Sequence, residues 1–313
     1  MGCGAAQKPA PAAAPKVAEP APAGAPWTAQ LRDGHPLVGR IYSTTRHAFV
    51  DRATLEADVA AARFVLLGEK HDAPDHHRLQ RELIEALVAR GRKPSVVFEM
   101  LDVDEQPKLD AARAEKNPDA ATFGQGWDWP LYRPIVAFAV GAGLPLHAGN
   151  YPMAKIKAMF KGKGTPVPDD ELKALGVDLP YPPGAHESLE QELIDAHCGH
   201  LPKGHAGGFV TAQRLRDGQL AERLATAAKE SATDGGAVLI AGSGHTRSDR
   251  GVPWVLAKKH GATKVYSIAF LEVQTGAVDP ERYAAEFHAK TLPFDAVWFT
   301  PALSDDDPCA GMR

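Results

Sequence analysis

This sequence is poor in cysteine, in aromatic residues and in net charge. Its 313 residues include three cysteines, 7% aromatic side chains and a formal net charge of −4. A nearly balanced charge provides no broad basic field to attract phosphates, so we expect no nucleic-acid partner. No apolar run reaches about 18 residues, so the sequence predicts no transmembrane helix.

The cysteines are Cys3, Cys198 and Cys309, an odd number at wide spacing. This pattern is typical neither of a disulfide framework nor of a zinc ribbon. Cys198 and Cys309 could pair or remain apart, so the cysteines alone leave the redox compartment open.

Residues 5–26 are rich in proline and alanine and nearly free of large apolar side chains. Such a composition cannot offset the entropy of ordering, so we expect a disordered tether over residues 1–26 and a single folded domain over 27–313. Cys3 stands just before this segment, as in the region that follows a bacterial lipoprotein cleavage site. The interpretation is a lipid anchor at Cys3 and a membrane-anchored place in the cell envelope, although no signal-peptide pattern precedes Cys3 in this sequence. The alternative is an untethered tail.

Apolar runs without polar alternation predict strands that are covered on both faces. They occupy residues 63–68, 94–100, 144–150, 236–245, 264–273 and 294–300. Helical patterns lie between them, at residues 74–90, 130–142 and 209–230. This alternation predicts an α/β fold with a mainly parallel sheet and helices on both faces.

Residues 161–208 interrupt the alternation and are rich in Gly, Pro, Lys and His. We expect an irregular or small helical insertion here. Insertions of this kind often cover a ligand site. The alternative is a solvated loop.

Polar side chains follow four of the predicted strands at the point where each strand ends. In chain order they are Glu69, His71, Glu99, Asn150, His245 and Arg247. Ligands of open parallel sheets bind beyond the carboxyl ends of the strands. The sequence therefore predicts that these side chains converge in one polar site.

Two chemistries are open for this site. Glu69, His71, Glu99 and His245 could bind a divalent metal, because imidazole and carboxylate together suit Zn, Mn, Co or Fe. Asn150 and Arg247 would then give polar support. The same side chains could instead form a hydrogen-bonded network without metal, or the two histidines could merely cap helices.

Six stretches together resemble the ChaN-like haem-binding family of iron-regulated bacterial lipoproteins, within the wider superfamily of Tiki, TraB and erythromycin esterase. They span residues 64–260 and read LLGEKHDAPDHHRLQ, VVFEM, GWDWPLYRPIVAFAVGAGLPLHAGN, AHCGHLP, AQRLRDGQLAERL and IAGSGHTRSDRGVPWVLAKK. The resemblance implies an α/β domain that binds haem at an outer cell surface, often at a homodimer interface, and a role in iron or haem uptake.

The resemblance also implies haem-contacting residues, since the family's sites are tyrosine-ligated with histidine support. Tyr132 matches the family pattern, and His197 and His200 belong to the matching AHCGHLP stretch. Tyr151 stands where many relatives carry a small residue. We expect haem to be held by these four residues and not by His71 or His245. The alternative is that Tyr132 only packs on a helix and that the HCGH segment only ends one.

A rival hypothesis follows from the same superfamily, whose metal-dependent hydrolases use two GxxH histidines and an intervening glutamate. These positions correspond here to His71, His245 and Glu99, with Glu69 adjacent. In that case Glu69 and Glu99 would be catalytic. We expect a binding protein rather than an enzyme, with the hydrolase as the alternative.

Overall fold

The computed structural model describes residues 26–124, 126–161, 166–201, 206–231, 235–306 and 309–310. The predicted lipid anchor at Cys3 and all but the last residue of the predicted tether lie outside these ranges. Within them, eight strands form one sheet. The strands are β1 (Ile41–Ser43), β2 (Ala48–Val50), β3 (Phe64–Glu69), β4 (Ser95–Asp102), β5 (Leu146–Asn150), β6 (Ala237–Gly242), β7 (Val265–Glu272) and β8 (Ala296–Thr300).

The strand order is β2-β1-β8-β7-β3-β6-β4-β5. The six strands β3 to β8 run parallel to one another, and β1 is antiparallel to both β2 and β8. The predicted α/β class with a mainly parallel sheet is therefore confirmed. The sequence pattern did not predict β1 and β2, because three residues are too few to show a periodicity. It also extended the fourth strand to His245, whereas β6 ends at Gly242.

Helices cover both faces of the sheet. In chain order they are α1 (Arg52–Ala61), α2 (Pro74–Ala89), α3 (Gln106–Ala114), α4 (Trp129–Gly141), α5 (Met153–Phe160), α6 (Asp169–Ala174), α7 (Ala185–Ala196), α8 (Ala206–Glu230), α9 (Ser243–Thr246) and α10 (Val252–His260). Short 3-10 helices occupy Val103–Glu105, Pro118–Ala121 and Pro280–Phe287.

Successive side chains of the central strands enter two different cores, as the pleat of a strand requires. In β3, Val65 and Leu67 pack into the core beneath α1, α2, α3 and α4. Phe64 and Leu66 pack on the other side, against α8 and α10. Since β3 is apolar toward both cores, its carboxyl end is the first point where the strand presents polar groups.

The predicted insertion is mainly helical where the structure describes it, with α6 and α7 between residues 169 and 196. It rests on α8 at Gly218, where any Cβ would overlap the carbonyl oxygen of Leu175. Glu192 of α7 binds the guanidinium groups of Arg247 and Arg250, which are both buried. Because an unpaired buried charge is costly, these contacts fix α7 against the segment between α9 and α10.

A disulfide joins Cys198, just beyond α7, to Cys309 near the C-terminus. The pairing that the sequence left open is thus present in the structure. None of the described helices combines the length and the apolarity that crossing a bilayer requires.

Candidate functional site

The polar side chains at the carboxyl ends of the central strands converge around Gly242. The backbone N–H of Gly242 donates to Glu99 Oε2 at 2.7 Å. A Cβ on Gly242 would lie 3.0 Å from the His71 ring, so the imidazole sits directly against this glycine. His245 follows in α9, with Nε2 3.3 Å from Glu99 Oε1. The structure therefore brings Glu69, His71, Glu99 and His245 together, and the arrangement divides into two halves.

Glu69 organises the first half. Its Oε1 accepts hydrogen bonds from the Tyr132 hydroxyl at 2.6 Å and from His71 Nδ1 at 3.0 Å. Its Oε2 lies 3.1 Å from Nδ1 of His77. Burial alone would raise the pKa of this carboxyl, but the neighbouring histidines outweigh burial and lower it to about 2. Glu69 is therefore a buried carboxylate that carries its charge at neutral pH.

His77 supplies the compensating charge. Its Nε2 donates to the carbonyl oxygen of His71 at 3.0 Å, and its Nδ1 faces Gln80 Oε1 at 3.2 Å. The Gln80 amide nitrogen donates to Leu67, so its oxygen is the atom that faces His77. Both ring nitrogens thus meet acceptors, which requires an imidazolium. Burial opposes this charge, but Glu69 raises the pKa of His77 above its ordinary value.

His71 is the group that this half presents to solvent. Its side chain is 44% exposed, and the ring packs edge-on against Trp127 with centroids 4.9 Å apart. Because Nδ1 donates to Glu69, the neutral ring keeps its lone pair on Nε2. Burial lowers the pKa of His71, but Glu69 and Glu99 outweigh it and raise the pKa above 6.5.

A cavity of about 550 Å³ adjoins His71 at this edge. Polar groups of Ser243, Glu272 and Gln274 line it together with the apolar side chains of Phe270 and Leu271. Its volume is in the range of small-molecule sites. The exposed imidazole therefore faces space that is large enough for a ligand.

The second half is an ion-paired chain centred on His245. Its Nδ1 lies 2.6 Å from Asp217 Oδ1, and its Nε2 faces Glu99. Burial would lower the pKa of His245, but Glu99 and Asp217 raise it to about 9. Arg216 completes the chain by donating to Glu99 at 2.7 Å and to Asn150 Oδ1 at 3.1 Å.

The side chains of the predicted metal site contact one another and their neighbours in this structure. Across the described ranges, no group of three or more His, Cys, Asp or Glu side chains is arranged to hold a metal ion. Both oxygens of Glu99 already accept hydrogen bonds, and both nitrogens of His245 face carboxylates. In this structure the residues of the predicted metal site therefore form a hydrogen-bonded network.

Two further predicted residues have separate outcomes. Asn150 joins the network through Arg216. Arg247 does not, because its guanidinium is directed to Glu192 and Asp249. The prediction that Arg247 supports the polar site is therefore wrong. Arg247 binds Glu192 of α7 in the insertion instead.

The two tyrosines expected to contact haem are buried, and they lie in different cores. Tyr132 is fully buried, with its hydroxyl committed to Glu69. Tyr151 is 1% exposed, and its hydroxyl donates to Glu171 at 3.0 Å. Burial and the carboxylate partner raise the pKa of each phenol far above its ordinary value. In this conformation the Tyr132 hydroxyl is enclosed by the core, whereas Tyr151 lines a cavity of about 280 Å³ together with Lys155 and Glu171.

His197 and His200 lie instead at the end of α7, on the surface. The His197 ring packs edge-on against Phe209, and the Phe160 ring packs against Phe209 in a tilted arrangement. The ring centroids of both pairs are 4.7 Å apart. We call Phe160, His197 and Phe209 the aromatic platform. Phe160 is 40% exposed, which is high for a large apolar side chain.

The tautomer of the neutral His197 ring follows from one hydrogen bond. Its Nδ1 lies 2.7 Å from the carbonyl oxygen of Leu193. A carbonyl can only accept, so Nδ1 carries the proton and the lone pair of the neutral ring is on Nε2.

Sequence analysis missed Arg216 and Asp217 of α8 and gave His77 no role. The signal was present in α8, where Arg216 and Asp217 adjoin Leu215 and precede Leu220, inside the stretch that packs on the sheet. Charged residues among buried positions of a helix indicate a partner inside the protein. In α2, His77 lies in the same buried stretch as Leu79 and Leu83.

With this geometry in place, the comparisons with known proteins become informative. A family model described as haem-binding uptake, Tiki superfamily, ChaN matches residues 55–256. The chain belongs to this family. No protein among the curated sequences matches it.

Among solved structures, the one titled "Cofacial heme binding to ChaN of Campylobacter jejuni" is similar over 82% of this chain and 95% of that chain, with 19% identity and a TM-score of 0.61. It shows that the two proteins share a fold. An erythromycin esterase in its open conformation matches 82% of this chain and 94% of that chain, with 15% identity and a TM-score of 0.44. The type III effector HopBA1 matches 79% of this chain and 92% of that chain, with 12% identity and a TM-score of 0.42.

Proposed function

We propose that this protein binds haem at the aromatic platform, with His197 as an axial ligand. Membership in a haem-binding uptake family supports the choice of ligand. The observation that carries the site is the hydrogen bond from His197 Nδ1 to Leu193, which leaves Nε2 as the basic nitrogen. A haem iron bound by histidine needs that nitrogen unprotonated and the ring held in place.

The surroundings of His197 fit the rest of the porphyrin. Phe160 and Phe209 offer apolar faces beside the imidazole, and haem needs such faces next to its axial ligand. Lys157 and Lys161 flank Phe160 in sequence, are exposed, and form no ion pair among the described residues. They supply the cations that two propionates require. His200, exposed three residues after His197, is the candidate for a second histidine contact.

The disulfide supports a site of action outside the cytoplasm, since disulfides persist in oxidising compartments. We therefore propose a cell-envelope protein in haem or iron uptake, anchored to a membrane by a lipid on Cys3. Pairing into a homodimer belongs to the same proposal, because a platform exposed on one face leaves the other side of a bound haem uncovered.

The test is a haem titration followed at the Soret band. Parent, His197→Ala and His71→Ala are compared, and the two variants are matched because each removes an imidazole whose Nδ1 is bonded. We expect His197→Ala to weaken haem binding by about tenfold or more, the usual scale for losing a metal-site partner. His71→Ala should bind like the parent. Loss of the Soret shift in His71→Ala alone would move the site to the strand edge.

A second candidate function is favoured by the cavity beside His71. His71 donates from Nδ1 to the carboxylate of Glu69, and its Nε2 keeps a lone pair. This is the arrangement of a general base. This candidate is a hydrolase in which His71 takes the proton of an attacking water. Hydrolysis of p-nitrophenyl acetate by the parent, abolished in His71→Ala but kept in His197→Ala, would support it over haem binding.

A further inference from the structure

A second cavity lies at the opposite edge of the sheet, and the proposed haem site makes no use of it. It has a volume of about 460 Å³ and lies where β3 and β7 begin and α8 and α10 end. The polar network lies at the far ends of these strands. Because β3 is six residues long, roughly 20 Å separates the two sites. A ligand here is therefore independent of both the network and the strand-edge cavity.

The lining of this cavity is cationic. Arg63, Lys229, Lys264 and His260 contribute to it, and no acidic side chain is among its lining residues. The floor is apolar, formed by Phe64 and Ala225. We call this site the basic pocket. Its volume is in the range of small-molecule sites.

Among the residues that the structure describes, Arg63, Lys229 and Lys264 of the basic pocket have no acidic partner, whereas His260 lies 3.0 Å from Glu222. Lys229 and Lys264 are exposed and form no side-chain hydrogen bond or ion pair with the residues that the structure describes. The Arg63 side chain makes a long contact of 3.4 Å to the carbonyl oxygen of Ala228, and it forms no ion pair with any described residue. The carboxylate of Glu222 is already bound by Lys259 and His260. Within the described part of the chain, Glu222 forms no ion pair with Arg63, Lys229 or Lys264.

Part of this charge has a structural explanation and part does not. Lys229 lies in the last turn of α8, where a cation offsets the negative end of the helix dipole. Arg63 contributes to the same helix end, because its guanidinium donates to the carbonyl oxygen of Ala228 in the last turn of α8. Lys264 stands directly before β7 and makes no such contact with the described residues. Converging cations that lack partners are a cost in self-repulsion, and a bound anion would remove that cost.

We propose that the basic pocket binds a phosphate group, carried either by a membrane lipid headgroup or by a soluble phosphate compound. Arginine offers a planar fork and lysine a point charge, the two donors that recognise phosphate in proteins. The apolar floor accommodates the carbon portion next to the phosphate. Such a site lies beyond the proposed haem function and does not rest on it.

The experiment uses the full chain at low ionic strength, where exposed charges are least screened. Inorganic phosphate is titrated by calorimetry. In a second arm, the protein is sedimented with vesicles of phosphatidylcholine alone or of phosphatidylcholine mixed equally with phosphatidylglycerol. The test variant is Arg63→Gln with Lys264→Gln. The control, Lys173→Gln with Lys290→Gln, removes two exposed lysines elsewhere and changes the net charge equally.

We expect the test variant to lose about tenfold or more in phosphate affinity, the scale of a lost charge-assisted hydrogen bond, while the control binds like the parent. If co-sedimentation with phosphatidylglycerol vesicles falls in the same variant, the phosphate is a lipid headgroup; if phosphate binds and vesicles do not, it is soluble. Equal losses in both variants would show a general surface-charge effect and overturn the proposal. Failure of the parent to bind either probe would overturn it as well.

Discussion

Replacing His245 tests the ion-paired half of the polar network. The side chain is 6% exposed and lies between the carboxylates of Asp217 and Glu99. These carboxylates raise the pKa of His245 against the opposing effect of burial, from 6.5 to about 9. One pKa unit is worth about 1.4 kcal/mol, so the bound proton contributes roughly 3 kcal/mol to the free energy of unfolding.

The sign follows from the raised pKa. Below pH 6.5 both the folded and the unfolded protein hold this proton, and the stabilisation is fully present. As the pH rises toward about 9 the unfolded state has lost the proton while the folded state still holds it, so the stabilisation declines and is gone above that value. We expect the free energy of unfolding of the parent to fall by roughly 3 kcal/mol more across this window than that of His245→Gln, because the glutamine has no charge to lose.

Urea unfolding at several pH values across the window measures this difference. The matched control is His47→Gln, since His47 Nδ1 lies 3.4 Å from Glu281 Oε1 but the side chain is 74% exposed. The control should keep the parent's pH dependence. If His245→Gln does not fold, the histidine resonances of the parent decide by NMR, since His245 should titrate near pH 9. Equal pH dependence in parent and variant, or titration of His245 near 6.5, would refute the ion-paired network.

Three further substitutions test the packing of the polar network, the contact between the insertion and α8, and the disulfide. Gly242→Ala places a methyl group 3.0 Å from the His71 ring. It should lower the free energy of unfolding in urea by about 1–3 kcal/mol and shift the NMR resonances of His71. An unchanged His71 spectrum would contradict the arrangement. Gly218→Ala should destabilise the protein by about 2 kcal/mol or more, because the new Cβ overlaps the carbonyl oxygen of Leu175. Faster proteolysis of the insertion would show that the insertion has separated from α8. Cys198→Ser opens a disulfide between positions 111 residues apart and should cost up to about 4 kcal/mol, so an unchanged melting temperature would contradict the disulfide.

The sequence was sufficient for the six parallel strands and for the strand-end convergence. Both depend on local patterns: apolar runs that end in Glu69 or Glu99, and the rule that the ends of parallel strands share an edge. It was not sufficient for the hairpin of β1 and β2, whose strands have three residues each.

The chemistry of the site could not be predicted because its deciding contacts come from distant segments. Whether His245 ligates a metal depends on Asp217, and whether Glu99 is free depends on Arg216, 117 residues away in sequence. The sequence left the role of Tyr132 open for the same reason, since that role depends on Glu69, 63 residues earlier in the chain. Strand and helix patterns establish which elements form. They do not establish which side chain of α8 meets the end of β4.

The measurement that tests the proposed function most directly is a haem titration of the unsubstituted protein. Binding at the aromatic platform predicts a saturable shift of the Soret band, with histidine ligation of the iron apparent in the absorption spectrum. A titration in which the Soret band remains that of free haem at every protein concentration would contradict the account.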